Sequence, residues 1–424
     1  MTAEPPQVGD VLDLQIGAVG HGGFCVARHD GRVVFVRHSL PGERVRAAVT
    51  EVGRRGRFLR ADAVEVLSAS PDRVDPPCPH SGPGGCGGCD WQHASLGAQR
   101  RLKADVVREQ LVRLGGVDPA ALSELVVEPV AGDSHGLGWR TRVRWAVDGA
   151  GRVGLRRHRS HDVVPVAHCP LVTAAVDATG VGARTWPGQR ELVVVGSAAG
   201  DRLVVPDPPV PADASARADA VAGLPEDVAV AGVRGRGWVT ERAAGRDWRV
   251  TGGGFWQVHP GAADALVTAV ADSLEPRPGD HLVDLYSGVG LFAGALAPVL
   301  GPGGRVDAVE ADDRAHADAR RCLHDLATVR LHHAPVAAWL AHAAPRRCDL
   351  VVLDPPRSGA GDDVLRRLVR LRARRIAYVA CDPAALGRDV ATLRGLGWAL
   401  AGLRALDLFP MTHHVECVAT FEPE

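Results

Sequence analysis

Lysine is almost missing from this sequence. Of its 49 basic residues, every one except Lys103 is arginine, and 50 acidic residues bring the formal net charge of the 424-residue chain to −1. A chain without net positive charge has no general attraction for a polyanion, so any nucleic-acid surface must be a local patch. Arginine suits phosphate binding and base stacking, but a composition bias explains its excess equally well, because alanine and glycine are also abundant.

Long apolar runs are missing as well. No stretch approaches the length that spans a bilayer, and the first residues lack the pattern of a signal peptide. We therefore expect a cytoplasmic protein without a membrane partner, and we expect it to act as a monomer. In such a reducing compartment the nine cysteines do not indicate a disulfide framework, and the clustered ones indicate a metal site or catalysis.

Short alternating strands predict a small β-barrel over residues 1–67. Apolar and polar residues alternate at 11–16, 32–37 and 43–47, and glycines between these stretches supply the turns. Several strands in about sixty residues are typical of a closed barrel that binds single-stranded nucleic acid. The segment resembles the TRAM domain, an RNA-binding barrel found on RNA-modifying enzymes.

Three cysteines lie close together after the barrel. Cys78, Cys86 and Cys89 are separated mainly by glycines, which let a backbone wrap closely around a metal centre. Cys169, between a histidine and a proline, is the best candidate for a fourth ligand. Four thiolates suit a zinc ion or an iron–sulfur cluster. Zinc sites more often contain two short Cys-x-x-Cys motifs. Three clustered cysteines plus one distant cysteine therefore favour a [4Fe–4S] cluster, with zinc as the alternative.

Residues 68–250 predict a mixed, β-rich central domain around this cysteine loop. One apolar face predicts a helix over 93–115, and we expect it to dock on the domain that follows. The alternating stretch 139–145 predicts a strand with three arginines on one face. Such a face is often only solvated, but its place beside the cysteine loop favours an RNA-contacting surface.

From residue 251 the pattern becomes that of an α/β domain, 251–424. The strand at 281–286 leads into a glycine-rich turn ending at Gly290 and then into an apolar helix, an arrangement in which the backbone approaches a nucleotide-like ligand closely. The next strand ends in Glu310, whose carboxylate is placed to accept both ribose hydroxyls. The spacing of the glycines fits S-adenosylmethionine (SAM) better than NAD.

A cysteine closes another buried strand. The apolar run 376–380 ends at Cys381, and Pro383 cannot continue a sheet ladder. The thiol is therefore expected at the carboxyl end of a strand, the edge where open α/β sheets bind ligands. A lone cysteine in such a run is more often a packing residue than a nucleophile. Its neighbours change that interpretation, because Asp354 ends another strand and Glu416 lies near the start of the last one.

The C-terminal part of the chain also contains five short motifs that occur together: Phe255-Trp256-Gln257-Val258, Asp284-Leu285-Tyr286-Ser287-Gly288-Val289-Gly290, Asp354-Pro355-Pro356-Arg357, Cys381-Asp382-Pro383 and His414-Val415-Glu416. With the barrel and the cysteine loop, they resemble the RNA uracil-5 methyltransferase family over essentially the full chain, in particular its branch with a TRAM domain and an iron–sulfur cluster. The resemblance implies an α/β fold in which a class I methyltransferase (Rossmann-like) sheet follows a TRAM/OB-like barrel and a mixed central domain.

The resemblance also implies a role for each candidate residue. SAM is the methyl donor and RNA the partner; Cys381 is the nucleophile that adds to uracil C6, and Glu416 is the general base. The residues expected in the cofactor region are Gln257, Tyr286, Glu310 and Asp354. The expected cluster ligands are Cys78, Cys86, Cys89 and Cys169.

Some positions depart from the family pattern. Seven residues separate Cys78 from Cys86, a longer spacing than usual. Leu291 and His259 stand where relatives often carry asparagine, and the stretch at Pro335 lacks the polar residue expected near the adenine. We infer altered cofactor contacts rather than lost activity.

Two other functions stay open at this point. A nucleic-acid amino methyltransferase needs no cysteine, although Arg357 stands where an aromatic residue would indicate methylation of an adenine amino group. A non-catalytic RNA-binding protein would keep the fold as a scaffold, but the intact Cys381 and Glu416 argue against it. Barrel and cluster together favour a 23S rRNA uridine over a tRNA uridine, by analogy.

Overall fold

A computed structural model describes residues 6–133 and 135–424, so the first five residues of the predicted barrel segment lie outside it. The described strands form four sheets. Their arrangement confirms the predicted α/β class, with a β-barrel and a β-rich central region ahead of a C-terminal Rossmann-like sheet. Within the described part of the chain, no helix is both long and apolar enough to cross a membrane.

The N-terminal strands form a barrel; they are β1 (Val11–Gln15), β2 (Cys25–His29), β3 (Arg32–Arg37), β4 (Arg44–Val52) and β5 (Phe58–Ser68). Buried and exposed residues alternate along them, as in β1, where Leu12 and Leu14 face the core. The sheet order is β1-β4-β5-β3-β2. The Gly17 N–H donates to Val26 O (2.8 Å), which joins the chain after β1 to β2 and closes the barrel.

The central region contains β6 (Val127–Pro129), β7 (Arg142–Val147), β8 (Val153–Arg156), β9 (Val163–Pro165), β10 (Glu191–Gly196), β11 (Arg202–Asp207), β12 (Val228–Val230), β13 (Trp238–Ala243) and β14 (Arg246–Thr251), with α1 (Leu96–Gly115), α2 (Ala174–Asp177) and α3 (Ala214–Val221). Six strands form a sheet in the order β12-β11-β10-β7-β8-β9, and β13 and β14 form a hairpin. Strand β6 pairs instead with the C-terminal sheet.

The predicted arginine-bearing strand differs from the observed one. Strand β7 begins at Arg142, so Arg140 precedes it. The Arg142 side chain is 10% exposed and donates to the Gly254 carbonyl, and Arg144 pairs with Glu191 at 2.9 Å. Two of the three arginines are therefore held by partners within the protein, which lie far along the chain and leave no local pattern.

Helix α1 starts slightly later than the predicted 93–115, because Ser95 caps it. The Ser95 hydroxyl accepts the Ala98 N–H (3.3 Å), and Gly116, in the left-handed region with φ 61°, ends the helix. Its apolar face packs on the C-terminal region, where Val107 shares a core with Val390. The helix therefore docks on the domain that follows.

The C-terminal region contains β15 (His281–Leu285), β16 (Arg305–Glu310), β17 (Val329–His333), β18 (Leu350–Leu353), β19 (Arg375–Ala380), β20 (Trp398–Asp407) and β21 (Glu416–Pro423), with α4 (Ala262–Leu274), α5 (Leu291–Leu300), α6 (Asp313–Cys322), α7 (Val336–His342), α8 (Asp362–Leu368) and α9 (Pro383–Gly395). The eight-stranded sheet has the order β17-β16-β15-β18-β19-β21-β20-β6. Strands β15 to β19 run parallel, and β21 runs antiparallel between β19 and β20.

This topology collects functional groups at one edge. The carboxyl ends of parallel strands lie together at a single edge of the sheet, and an antiparallel neighbour begins there. Apolar cores lie on both faces, with Val351 on one and Val352 on the other, so the strands are buried on both sides. The strand ends and loops at this edge carry the candidate residues.

Candidate active site

The pairing of β19 with β21 brings the two predicted reactive residues together. The last registered pair is Ala380 opposite Cys417. Continuing an antiparallel register by one residue sets Cys381 opposite Glu416, and residues directly opposite each other have neighbouring side chains on one face. A separation of 35 positions in sequence (416 − 381) therefore becomes a direct juxtaposition.

A cavity of about 850 Å³ opens at this edge of the sheet. Cys381 and Glu416 both line it. The four residues expected in the cofactor region line the same cavity: Gln257, Tyr286, Glu310 and Asp354. The structure therefore gathers all six candidate residues in one site.

Backbone geometry shapes the cavity wall at the end of β15. Tyr286 and Gly288 both adopt left-handed φ values, 61° and 56°, so the chain turns sharply where β15 ends. A Cβ on Gly288 would meet nothing within 4 Å, and a side chain there would occupy cavity space. The Gly288 N–H donates to Glu310 Oε2 (2.8 Å), while Oε1 accepts the N–H groups of Ala311 and Asp312 (both 2.7 Å). The Glu310 carboxylate is thus fixed, yet it keeps acceptor capacity for a ligand.

Carboxyl groups are crowded at this part of the cavity: Asp354 and Glu416 line it, and Asp284 is buried behind them. Burial raises the pKa of Asp284 to about 8, and the nearby Asp354 and Glu310 add to the effect. Burial likewise raises the pKa of Asp354 to about 7. Burial and the Asp354 charge raise the pKa of Glu416 well above its usual value, while Arg357 opposes them. Such a wall disfavours its own ionisation and favours a cationic ligand.

The Cys381 thiol responds to the same charges. Burial, then Glu416 and then Asp354 raise its pKa to about 11, whereas Arg357 lowers it. Arg357 also lines the cavity. It is therefore the positive group that favours the thiolate form of Cys381, the form that acts as a nucleophile.

The four candidate metal ligands line a second, small cavity: Cys78, Cys86, Cys89 and Cys169. The Gly88 N–H donates to Cys86 Sγ (3.3 Å), and Gln92 Nε2 donates to Cys89 Sγ (3.1 Å). Within residues 6–133 and 135–424, no three histidine, cysteine or acidic side chains converge closely enough to hold a metal ion. The thiols therefore face a common space without converging on a single point.

Several residues that line the cavity were not among the predicted site residues. Asp312 and Arg314, at the start of α6, and the rings of Trp139 and Phe409 line the main cavity. Asp312 was in principle detectable as a helix cap just after Glu310, since its carboxylate accepts the Arg314 N–H at 3.0 Å. The aromatic residues come from distant segments that only the fold brings together.

The positions that depart from the family pattern are not among the residues that line the cavity. Leu291, His259 and Pro335 are all within the described residues, and the cavity lining contains none of them. His259 is buried, stacks on Trp139 with ring centroids 6.2 Å apart, and accepts the Gly261 N–H through Nδ1 (3.1 Å).

Comparison with known proteins identifies the family. The TRAM domain family matches residues 5–64, and the family described as tRNA (Uracil-5-)-methyltransferase matches residues 343–422. A Shewanella denitrificans protein named 23S rRNA (uracil(1939)-C(5))-methyltransferase RlmD is 30% identical, and the match covers 98% of this chain and 97% of that protein. The chain belongs to the RNA uracil-5 methyltransferase family. The motif Cys381-Asp382-Pro383 of this chain lies inside the matched range 343–422.

Other members of the RNA uracil-5 methyltransferase family extend the likeness over the whole chain. A Streptomyces avermitilis protein named an uncharacterized RNA methyltransferase is 51% identical, covering 98% of this chain and 99% of that one. A crystal structure of the Pyrococcus abyssi tRNA (uracil-54, C5)-methyltransferase with S-adenosyl-L-homocysteine superimposes with a TM-score of 0.71 at 22% identity, covering 96% and 99% of the two chains. The latter shows that the fold is shared from end to end.

The charges around Cys381 predict opposite effects of two substitutions. Asp354→Asn removes a charge that raises the pKa of Cys381, so alkylation of this thiol by iodoacetamide at about pH 9 should accelerate roughly threefold. Arg357→Ala removes a charge that lowers this pKa, so alkylation should slow. Mass spectrometry of the Cys381 peptide measures both rates in the native protein.

Asp312→Asn is the matched control, because Asp312 lines the same cavity but does not act on the Cys381 thiol. It should leave the alkylation rate unchanged. Equal rates in the Asp354→Asn and Arg357→Ala proteins would show that these two charges do not govern the thiol.

Proposed function

We propose that this protein transfers a methyl group from SAM to C5 of a uracil in RNA, through a covalent adduct between Cys381 and uracil C6. The observation that carries the proposal is the register that sets Cys381 opposite Glu416 on the wall of the same cavity as Glu310. We further propose that it works in the cytoplasm on ribosomal RNA, as the name of the Shewanella relative suggests for that protein.

The cavity suits SAM on three counts. Glu310 is fixed by backbone N–H groups and keeps lone pairs for ribose hydroxyls. Gly288 leaves open space where a nucleoside must approach the backbone. Asp354 and Glu416 on the wall, with Asp284 buried behind them, favour a cation. When bound, SAM supplies a methyl group on a positively charged sulfonium.

Cys381 makes the uracil ring reactive. C5 of uracil is a weak nucleophile, but addition of the Cys381 thiolate to C6 moves the C5=C6 electron pair towards O4 and yields an enolate. C5 of that enolate then takes the methyl group. This is covalent catalysis, in which one difficult step is divided into easier ones. Arg357 favours the thiolate and is a candidate donor to the enolate oxygen.

Glu416 completes the reaction by accepting the proton left on C5. Removal of this proton returns the electron pair to the C5=C6 bond and expels the Cys381 thiolate. Glu416 must be ionised to act, and its raised pKa disfavours that form. A cationic ligand beside the acidic wall lowers this pKa, so base function and ligand binding are coupled.

Replacement of Cys381 separates this function from amino methylation. Cys381→Ala should lower methyl transfer by at least about 1000-fold, because the remaining residues cannot form the enolate, while SAM still binds. Radiolabelled methyl transfer to in vitro transcripts of 23S rRNA and tRNA measures activity and identifies the preferred RNA, and calorimetry measures SAM binding.

Cys348→Ala is the control, since Cys348 is buried and lies away from the cavity. Its methyl-transfer rate should match that of the unmodified protein. Appreciable turnover by the Cys381→Ala protein would rule out covalent catalysis by this residue and favour the amino methyltransferase alternative.

Replacement of Glu416 should trap the reaction after methyl transfer. Glu416→Gln preserves shape but removes the base, so the C5 proton stays and the Cys381–RNA bond persists. We expect a protein–RNA adduct that migrates slowly on a denaturing gel and contains the methyl group transferred from SAM. Glu422→Gln changes a half-buried acid farther along the same strand, which pairs with Arg375, and it should give no such band. An active Glu416→Gln protein without adduct would exclude Glu416 as the base.

We also propose that Cys78, Cys86, Cys89 and Cys169 hold a [4Fe–4S] cluster, with zinc as the alternative occupant. The donor set supports this, because four thiols line one cavity and two of them accept N–H hydrogen bonds, a common feature around cluster sulfurs. The cluster would crosslink the 78–89 loop to Cys169, which is a structural role.

Metal analysis tests this proposal. Protein purified without oxygen should be brown and contain about four iron and four sulfide ions per chain. Cys89→Ser should lose most of both, whereas Cys322→Ser, a buried cysteine elsewhere, should retain them. Stoichiometric zinc without sulfide would assign the site to zinc instead.

A further inference from the structure

The loop before Glu416 is held by the segment that follows the cysteine loop. The N–H groups of Asp90 and Trp91 both donate to the Met411 carbonyl, at 3.0 and 3.1 Å. The Met411 N–H in turn donates to Gln99 Oε1 (2.8 Å). Three hydrogen bonds from the central region thus fix the middle of the chain between β20 and β21, five residues before Glu416 (416 − 411).

The Asp90 side chain adds a second set of bonds to this loop. Its Oδ2 atom accepts the backbone N–H of His413 (3.1 Å) and lies 2.6 Å from His413 Nδ1. Asp90 is only 9% exposed, so this interaction is shielded from water. The His413 ring lies 4.1 Å from that of His414, and His414 lines the main cavity beside Glu416.

A barrel loop holds the nucleophile from the other side. His21 Nε2 lies 3.2 Å from Asp382 Oδ2, and Asp382 directly follows Cys381. The other Asp382 oxygen accepts the Ala385 N–H (2.7 Å) and caps α9. A small cavity of about 80 Å³ separates this barrel loop from Cys381. His21 therefore fixes the residue next to the thiol without filling the space around it.

The two contacts belong to one assembly. Trp91 Nε1 donates to Gly23 O (3.1 Å), which ties the barrel loop to the central segment. A Cβ on Gly23 would lie 2.9 Å from His413 Cβ and 3.0 Å from Asp90 Cβ, so the loop backbone rests directly on the Asp90–His413 pair. We call His21, Gly23, Asp90 and Trp91 the clamp.

We propose that the clamp positions the two reactive residues for separate chemical steps: His21, through Asp382, sets Cys381 for addition to uracil C6, and Asp90, through His413, sets Glu416 for removal of the C5 proton. His21 and Asp90 touch neither reacting atom, so both are positioning residues. The inference rests on the proposed function, because it assigns the residues to steps of that reaction.

RNA that contains 5-fluorouridine separates the two steps. In this RNA, C5 carries fluorine in place of the hydrogen that the base removes as a proton. The reaction therefore stops after thiolate addition and methyl transfer, with the Cys381–C6 bond intact. The rate of adduct formation on this RNA therefore reports the steps before proton removal, which are thiolate addition and methyl transfer. Turnover on ordinary RNA, measured with adduct accumulation, reports removal of the C5 proton. The RNA is the 23S rRNA or tRNA transcript that the unmodified protein prefers.

The two clamp variants should differ in kind. His21→Ala should slow adduct formation on 5-fluorouridine RNA about tenfold, a size typical of a misplaced reactive group. Asp90→Ala should form this adduct at a rate within about twofold of the unmodified protein, yet turn over ordinary RNA about tenfold more slowly while a methylated adduct accumulates.

Two matched controls remove the same chemical groups elsewhere. Asp177→Ala breaks another histidine–aspartate pair, His168–Asp177 (2.7 Å), beside the candidate ligand Cys169. His29→Ala breaks the His29–Asp30 pair (3.5 Å) on the barrel. Both controls should match the unmodified protein in both assays, and all variants should keep the same iron content and melting temperature.

The outcomes separate the clamp from the function on which it rests. If the unmodified protein forms no adduct on 5-fluorouridine RNA, the covalent mechanism itself fails. If it does so but His21→Ala and Asp90→Ala behave like the controls, the clamp does not position these residues. Equal slowing of both steps by both variants, or slowing that follows loss of iron, would likewise overturn the assignment by showing only general damage to the fold.

Discussion

The antiparallel pairing of β19 with β21 is the constraint on which the site depends. The two strands meet with Ala380 opposite Cys417, so a thiol at the end of one strand faces a carboxyl at the start of the other. A shift of one residue in this register would turn Glu416 to the other face of the sheet. The apolar residues of both strands are buried on both faces, which is why such a shift is strongly disfavoured.

Ionisation of the buried carboxyl groups at the cavity lowers the stability of the folded protein. Asp284 has an ordinary pKa of 3.8 and a pKa of about 8 in the folded protein, so the folded state binds its proton more tightly than the unfolded chain does. The stability that such a group contributes is present below its pKa in the unfolded chain and is lost as pH rises through its pKa in the folded protein. Asp354 behaves in the same way. A cation in the cavity reverses this loss, so the wall ties ligand binding to stability near neutral pH.

Local sequence patterns were enough to predict the residues at the sheet edge, but not the residues that hold them from other parts of the chain. Glu310, Asp354 and Cys381 each close a short apolar run, and parallel strands bring such ends together, so their meeting was predictable. His21 and Asp90 were not, because their partners lie hundreds of positions away and no periodicity links them. The partners of the arginines near β7 were unpredictable for the same reason: alternation shows the face on which a side chain lies, but not that Arg144 meets Glu191.

Lys103 shows why the N-terminal half cannot be treated as a separate appendage. This single lysine is completely buried in α1, where its ammonium lies 2.5 Å from Asp407 Oδ1 and 3.0 Å from Phe409 O. Arg100, also in α1, reaches the other Asp407 oxygen at 3.1 Å. Both cations that neutralise this buried carboxylate thus come from outside the predicted 251–424 domain. Without α1 the charge at the end of β20 would be uncompensated, a strongly destabilising arrangement, so the loop leading to Glu416 depends on a helix encoded about 300 residues earlier.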